Sequence, residues 1–160
     1  MKTTNPLLFP WFITAFAVTL LSISFIFVHF YGAPFQQPLA ESERIFWRTM
    51  FYILAILILP LTNLLRHIFL RLNQTMPLLV GANLEKTAQI RYALTVTVSQ
   101  SMMILIGWFG GMIFYFGDVL NSFHILTGLA VLGTFLYRPK NAEYQQIIDA
   151  LTDKQDNEND

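Results

Sequence analysis

Two long stretches near the end of the chain contain no Asp, Glu, Lys or Arg residue, and they constrain the fold more than any other feature. The first lies between Arg91 and Asp118, and the second lies between Asp118 and Arg138. At about 1.5 Å per residue, each is long enough to cross the hydrocarbon core of a bilayer as a helix. Because only the Gly117-Asp118 link joins them, these two helices must be antiparallel neighbours.

The composition agrees with a chain that lies mainly in lipid. Hydrophobic residues make up 54% of it, charged residues only 12%, and the mean hydropathy is +0.50. The formal net charge is zero, so there is no electrostatic argument for a nucleic-acid partner. Cysteine is absent, which excludes disulfides and thiolate-bound metal clusters. We therefore expect the lipid bilayer to be the main partner of this protein.

The charge pattern predicts an all-α, polytopic membrane protein whose four-helix transmembrane bundle forms one domain at residues 1–140. The expected spans are about 9–30, 46–65, 92–116 and 119–137. A short amphipathic helix is predicted on the cytoplasmic side at residues 141–152, because apolar residues recur there at helical spacing. The acidic segment at residues 153–160 is predicted to be disordered.

Basic residues divide unevenly between the two sides of this topology. One side holds only Arg44 and Arg48, and the other holds Lys2, Arg66, Arg71, Lys86, Arg91, Arg138, Lys140 and Lys154. The positive-inside rule then places both termini in the cytoplasm. The first span has no evident cleavage site, so we expect an uncleaved anchor and a multi-pass protein of a plasma membrane, the bacterial inner membrane.

Histidines occur inside two of the spans. On the first predicted helix, His29 shares a stripe of small and polar residues with Ala15, Thr19 and Ser22, and on the fourth His124 lies between Asn121 and Gly128. This spacing predicts that both imidazoles face the bundle.

Three interpretations of this histidine pair stay open. Each imidazole can simply be hydrogen-bonded to a neighbouring polar group. Alternatively, His29 and His124 ligate a metal ion or act as the axial pair of a b-type haem, although no cofactor is required by the sequence. In the third interpretation they join Arg48 and Asp118 in an outer polar cluster that binds an anion or transfers protons.

The third helix carries a GxxxG pair, Gly107 and Gly111, on the same stripe as Gln100. Such pairs allow close helix contact, here with the fourth helix through Gly128 or Ala130, or with a second copy in a homo-oligomer. Gln100 is expected to hydrogen-bond across helices, and the candidate partners are Asn63 and Thr62. This stripe is one predicted partner face.

Two further surfaces follow from helical spacing. The C-terminal helix has an apolar face that is predicted to bind a partner in a membrane complex, and it consists of Tyr144, Ile147, Ile148 and Leu151. At the end of the second span, the alternation of apolar and polar residues predicts a basic surface segment near anionic headgroups. Its polar face is Arg66, His67, Arg71 and Asn73.

No catalytic motif accompanies these features. The sequence contains no glycine-rich phosphate loop, no HExxH, no nucleophile elbow and no pair of carboxylates inside a span. We therefore expect a non-enzymatic scaffold or an accessory subunit of a membrane complex. The alternatives are a redox protein that holds haem or metal between His29 and His124, and a small transporter or channel that uses the outer polar cluster.

Overall fold

The computed structural model describes residues 6–76 and 83–159, and it consists of five α-helices. These are α1 (Leu8–Tyr31), α2 (Glu41–Thr75), α3 (Leu84–Tyr115), α4 (Leu120–Leu136) and α5 (Asn141–Asn159). One short turn of 3₁₀ helix, Ala33–Phe35, follows α1. The structure is 87% helical, and the described residues contain no strand, which confirms the prediction of an all-α fold.

Three helices, α1, α2 and α3, are each long and apolar enough to cross a membrane. With 17 residues, α4 is shorter, but it qualifies as a span when it is combined with the first part of α5, to which it is bent by 46°. By length and composition the described residues thus contain three membrane-crossing helices, or up to four if this bent pair is one span.

Hydrogen bonds show which segments share an end of the bundle. At one end, here called the α5 end, the backbone N–H of Lys140 donates to Tyr92 Oη over 2.6 Å, and Gln89 Nε2 donates to the Pro6 carbonyl over 3.1 Å. At the opposite end, the loop end, the N–H of Gln37 donates to the Tyr115 carbonyl over 2.8 Å. The residues around Arg91 and Arg138 therefore lie at the same end, as the four-span topology requires.

The helix α3 forms the centre of the bundle. Against α4 it places Gly110, where an added Cβ would lie 3.2 Å from Leu126 Cβ, and against α2 it packs Phe109 on Phe51, with ring centroids 5.0 Å apart and the ring planes tilted by 31°. The buried residues of α3 extend from Ala88 to Phe114, and α3 has more of them than any other described helix. The predicted antiparallel pairing of the third and fourth helices is confirmed.

Two helices extend beyond the predicted membrane spans. The second continues past residue 65 to Thr75, as expected from the amphipathic segment that follows this span, and the third begins at Leu84, directly after Asn83. Charges limit the part of a helix that lies in lipid, whereas backbone hydrogen bonds continue in water, so charge patterns underestimate helix length.

Residues 153–159 were predicted to be disordered, but they are helical. They continue α5, which extends from Asn141 to Asn159 instead of ending at residue 152. Lys154 Nζ donates to the Thr75 carbonyl over 2.6 Å, which ties this part of α5 to the end of α2. Asp160 and Lys2 lie outside the described residues.

Candidate functional site

A buried ion pair links α2 to α5 at the α5 end of the bundle. Arg66 is only 5% exposed, and its Nη2 lies 2.6 Å from Glu143 Oε2 while its Nε donates to Oε1 over 3.3 Å. The same guanidinium donates to the carbonyls of Tyr137 and Arg138, over 2.8 and 3.2 Å. Carbonyls at the end of a helix lack intrahelical partners, so Arg66 both neutralises Glu143 and caps α4 where the chain turns into α5.

Tyr92 completes this network from α3. Its side chain is fully buried, and its hydroxyl donates to Glu143 Oε2 over 3.1 Å while accepting the backbone N–H of Lys140. A single carboxylate on α5 is thereby held by groups from α2 and α3. The network fixes the direction in which α5 leaves α4.

The prediction of a solvated basic face at the end of the second span is therefore wrong for two of its four residues. Arg66 is buried, and so is Asn73, whose Nδ2 donates to Thr95 Oγ1 over 2.9 Å. His67 and Arg71 are exposed, as predicted. The signal that could have identified the buried residues is their helical spacing from the buried apolar ones, since one stripe of α2 contains Ala55, Ile58, Thr62, Arg66 and Asn73.

The outer polar cluster lies at the loop end, and its two charged members are in contact. Arg48 Nη1 is 3.2 Å from Asp118 Oδ1, and Ser122 Oγ donates to Oδ2 over 2.7 Å. Asp118 is 4% exposed, and each of its carboxylate oxygens contacts one of these side chains. Arg44 Nη1 also donates to the Gly117 carbonyl over 3.2 Å. These contacts hold the link between α3 and α4.

The two histidines meet at the edge of the bundle. His29 Nδ1 lies 3.3 Å from His124 Nε2, and the Phe25 ring lies within 5.9 Å of both imidazoles, measured between centroids. The prediction that His29 faces the bundle interior is wrong, because His29 and its predicted stripe are exposed. The buried face of α1 is instead Pro10, Thr14, Ala17 and Leu21.

The geometry of this pair bears on the predicted cofactors. Two imidazole nitrogens on one tetrahedral ion, each at about 2.05 Å, are about 3.3 Å apart. The pair thus has the spacing of two ligands on a single ion, although no group of three or more His, Cys, Asp or Glu side chains that could hold a metal occurs among the described residues. A haem would have to separate two rings that are in direct contact. Binding of haem or metal by His29 and His124 stays a prediction.

The two glycines of the GxxxG pair have different environments. An added Cβ at Gly107 would collide with the Leu21 side chain of α1, whereas one at Gly111 would meet no atom within 4 Å. The prediction of one continuous face is therefore wrong: Gly107 serves packing inside the chain, mainly against α1, while Gly111 is open. The close contact with α4 is made by the neighbouring Gly110, which lies one residue off the motif.

Gln100 is buried inside the chain rather than on a partner face. Its Nε2 lies within hydrogen-bond distance of the Thr134 carbonyl, at 3.3 Å, and of Thr14 Oγ1, at 3.4 Å. The expected bond to Asn63 or Thr62 is not formed, because Gln100 faces α1 and α4 and not α2. The Thr62 hydroxyl bonds to its own helix.

The apolar face of α5, predicted to bind a partner, is covered by the chain itself. Its residues Tyr144, Ile147 and Leu151 are at most 1% exposed, and Ile148 is partly buried beside them. They pack on an apolar patch of α3 formed by Ala88, Tyr92 and Val96. That prediction is wrong because α3 continues on the N-terminal side of residue 92, and this extension supplies part of the apolar surface on which α5 packs.

A lateral groove of about 540 Å³ lies between α1 and α4 and is here called the α1–α4 groove. Its lining residues are Leu21, Ser22, Phe25, Ile26, His124, Thr127, Gly128, Val131 and Leu132. Sequence reasoning missed Thr127, whose hydroxyl is buried and has no hydrogen-bond partner among the described residues. Other buried helical hydroxyls, such as that of Thr134, bond to the carbonyl four residues earlier. An added Cβ at Gly128 would meet no atom within 4 Å, so the groove is open there.

Comparisons with known protein families, with characterised proteins and with solved structures find no match to this chain. The function has to be argued from the residues and their geometry.

Proposed function

We propose that this chain is a four-span protein of the bacterial inner membrane with both termini in the cytoplasm. The fourth span is α4, and α5 lies at the cytoplasmic surface. The support is the distribution of charge: Arg66, Arg71, Lys86, Arg91, Arg138, Lys140 and Lys154 belong to the α5 end, whereas Arg44 and Arg48 belong to the loop end. Such an excess of basic residues is typical of the cytoplasmic side.

The absence of cysteine makes this topology directly testable. In spheroplasts, a membrane-impermeant maleimide should label a Ser42→Cys variant almost completely and a Gln145→Cys variant only after permeabilisation, because both positions are exposed but lie at opposite ends. The cysteine-free parent protein is the blank. Labelling of Gln145→Cys in sealed spheroplasts would show the opposite orientation.

We further propose that the protein is a non-enzymatic accessory subunit that binds a transmembrane helix of another membrane protein in the α1–α4 groove. The observation that carries this proposal is the buried, unpartnered hydroxyl of Thr127 beside the open Gly128. A missing side chain at Gly128 allows a second helix to approach closely, and small residues mark such contacts in membranes. Ser22, on the other wall of the groove, is small as well.

A lipid acyl chain fits the apolar walls of the groove less completely than a helix does. An acyl chain has no group that can accept or donate a hydrogen bond, so it would leave the Thr127 hydroxyl unsatisfied, at a cost of about 1–3 kcal/mol. The hydroxyl is covered in this rotamer, but rotation about the Cα–Cβ bond would turn it toward the groove, where a Ser, Thr, Asn or Gln side chain or a backbone carbonyl of a partner helix can accept its proton. The site therefore favours a peptide partner with a polar group at this depth.

A matched pair of glycine substitutions tests this proposal. Gly128→Leu places a side chain in the groove at a position where an added Cβ meets no atom within 4 Å, and we expect it to reduce the recovery of the partner roughly tenfold or more, which corresponds to about 1.4 kcal/mol. Gly111→Leu makes the same change at the other open glycine and should leave the complex intact. The measurement is photocrosslinking from Leu132 in native membranes, followed by sizing of the crosslinked species.

The outcomes separate the possible partners. If Gly111→Leu, and not Gly128→Leu, abolishes the crosslink, the partner binds the open face of α3 and the groove proposal is overturned. If two differently tagged copies of this chain crosslink to each other through Leu132, the groove serves self-association and the accessory-subunit proposal fails. An unchanged crosslink in both variants would contradict any role of the groove.

A further inference from the structure

A second large cleft, of about 520 Å³, opens between α2 and the junction of α4 with α5. It is distinct from the α1–α4 groove, and its lining residues differ in chemistry along its length. Leu59, Pro60 and Leu136 form its inner part, which lies toward the middle of the bundle, whereas Asn63, His67 and Lys140 line the part near the α5 end. From Leu59 to His67 the helix rises about 12 Å. The cleft is therefore amphipathic along the direction of the membrane normal.

The polar part of this cleft carries an excess of positive charge. Two permanent cations, Arg66 and Lys140, face one carboxylate, Glu143. Glu143 lies 2.6 Å from the Arg66 guanidinium but 3.9 Å from Lys140 Nζ, so its negative charge mainly compensates the positive charge of Arg66. Lys140, whose side chain is 53% exposed, is left with a weakly compensated ammonium group at the mouth of the cleft.

The remaining polar side chains of the cleft have free hydrogen-bonding capacity. Within the part of the chain that the structure describes, the side chains of Asn63 and His67 form no hydrogen bond. Arg66, by contrast, uses its five N–H groups in bonds to Glu143, to the Tyr137 and Arg138 carbonyls and to Ser99 Oγ. An incoming ligand would thus be held by the ammonium, the amide and the imidazole, without breaking the buried ion pair.

From these observations we infer that the cleft binds an anionic phospholipid. Its phosphate would contact Lys140, His67 and Asn63. The part of an acyl chain nearest to the headgroup would lie along Leu59, Pro60 and Leu136. Basic pockets between transmembrane helices on the cytoplasmic side are suited to such headgroups. A free phosphate ion has the same charge chemistry but no use for the apolar part of the cleft. This inference requires the α5 end to lie at the headgroups, which the cysteine labelling reports independently.

The test compares lipids and variants in the purified full-length protein. Spin-labelled phosphatidylglycerol should associate with the protein more strongly than spin-labelled phosphatidylcholine, and Lys140→Gln should weaken that association about fivefold, which corresponds to about 1 kcal/mol for one basic group. Lys140→Arg, which keeps the charge, should retain most of it. Circular dichroism checks that each variant keeps its helices.

The matched control is Arg71→Gln, which removes one positive charge from an exposed position of α2 that lies outside the cleft. It should leave phosphatidylglycerol association unchanged. An equal loss in Arg71→Gln and Lys140→Gln would show diffuse surface attraction and overturn the proposed site. Displacement of the labelled lipid by inorganic phosphate would show a site for a soluble anion, and equal association of the two lipids would also refute the inference.

Discussion

Replacing Arg66 by Leu is expected to lower the free energy of unfolding by about 3–5 kcal/mol, the range found when one partner of a buried ion pair is removed. The substitution leaves the Glu143 carboxylate without its main partner and uncaps the carbonyls of Tyr137 and Arg138. Because these carbonyls lie where α4 turns into α5, we expect α5 to loosen first. Titration with sodium dodecyl sulphate, followed by circular dichroism, measures the loss.

Two controls decide whether the ion pair causes this effect. Arg71→Leu removes an exposed arginine from the same helix and should change stability by less than about 0.5 kcal/mol. The double variant Arg66→Leu with Glu143→Leu removes both charges, so it should cost clearly less than the sum of its two single changes. Strictly additive costs would show that Arg66 and Glu143 do not interact energetically.

Gly110→Leu should be the most disruptive change in the centre of the bundle. An added Cβ there would lie 3.2 Å from both Leu126 Cβ and the Phe123 carbonyl oxygen, and a backbone atom of a packed helix cannot move aside easily. We expect α4 to be displaced from α3 and stability to fall by about 3 kcal/mol, the upper part of the range for overpacked cores. The same detergent titration measures this loss.

The neighbouring Gly111 provides a control with identical chemistry. Gly111→Leu makes the same gain in helix propensity, and its Cβ would meet no atom within 4 Å, so its stability should stay within about 1 kcal/mol of the parent. If the two variants are equally unstable, steric overlap between α3 and α4 is not the cause. If Gly111→Leu alone is unstable, the GxxxG pair and not Gly110 sets the contact.

Local features of the chain were predictable because they depend on neighbouring residues only. Asn83 caps α3 as its side-chain type and position suggest, and its Oδ1 accepts the N–H of Lys86 over 3.1 Å. Gly117, at the predicted hinge, has a φ of +86°, which favours glycine. The apolar stretches identified the helices that are long and apolar enough to cross a membrane for the same reason.

Features that depend on which helix faces which were predicted poorly. The stripe of Ala15, Thr19 and Ser22 on α1 was expected to face inward, yet these residues are exposed, and Leu21 packs on α3 because Gly107 leaves space for it. Arg66 was expected in water because arginine rarely lies in a core, and only the position of Glu143 on a separate helix makes its burial favourable. The contact between Arg48 and Asp118 was predicted, since the short link between α3 and α4 limits where Asp118 can lie.

The amino-acid sequence by itself determined that this protein is helical, apolar and divided by a glycine hinge, because hydrophobicity and backbone preferences act over a few residues. Only the tertiary structure decided that the apolar face of α5 is covered by α3 and that Gly110 makes the close contact with α4. It also decided that the hydroxyl of Thr127 has no hydrogen-bond partner among the described residues. Those outcomes depend on contacts between residues far apart in the chain, whose pairing is set by how complete side chains fit together in space.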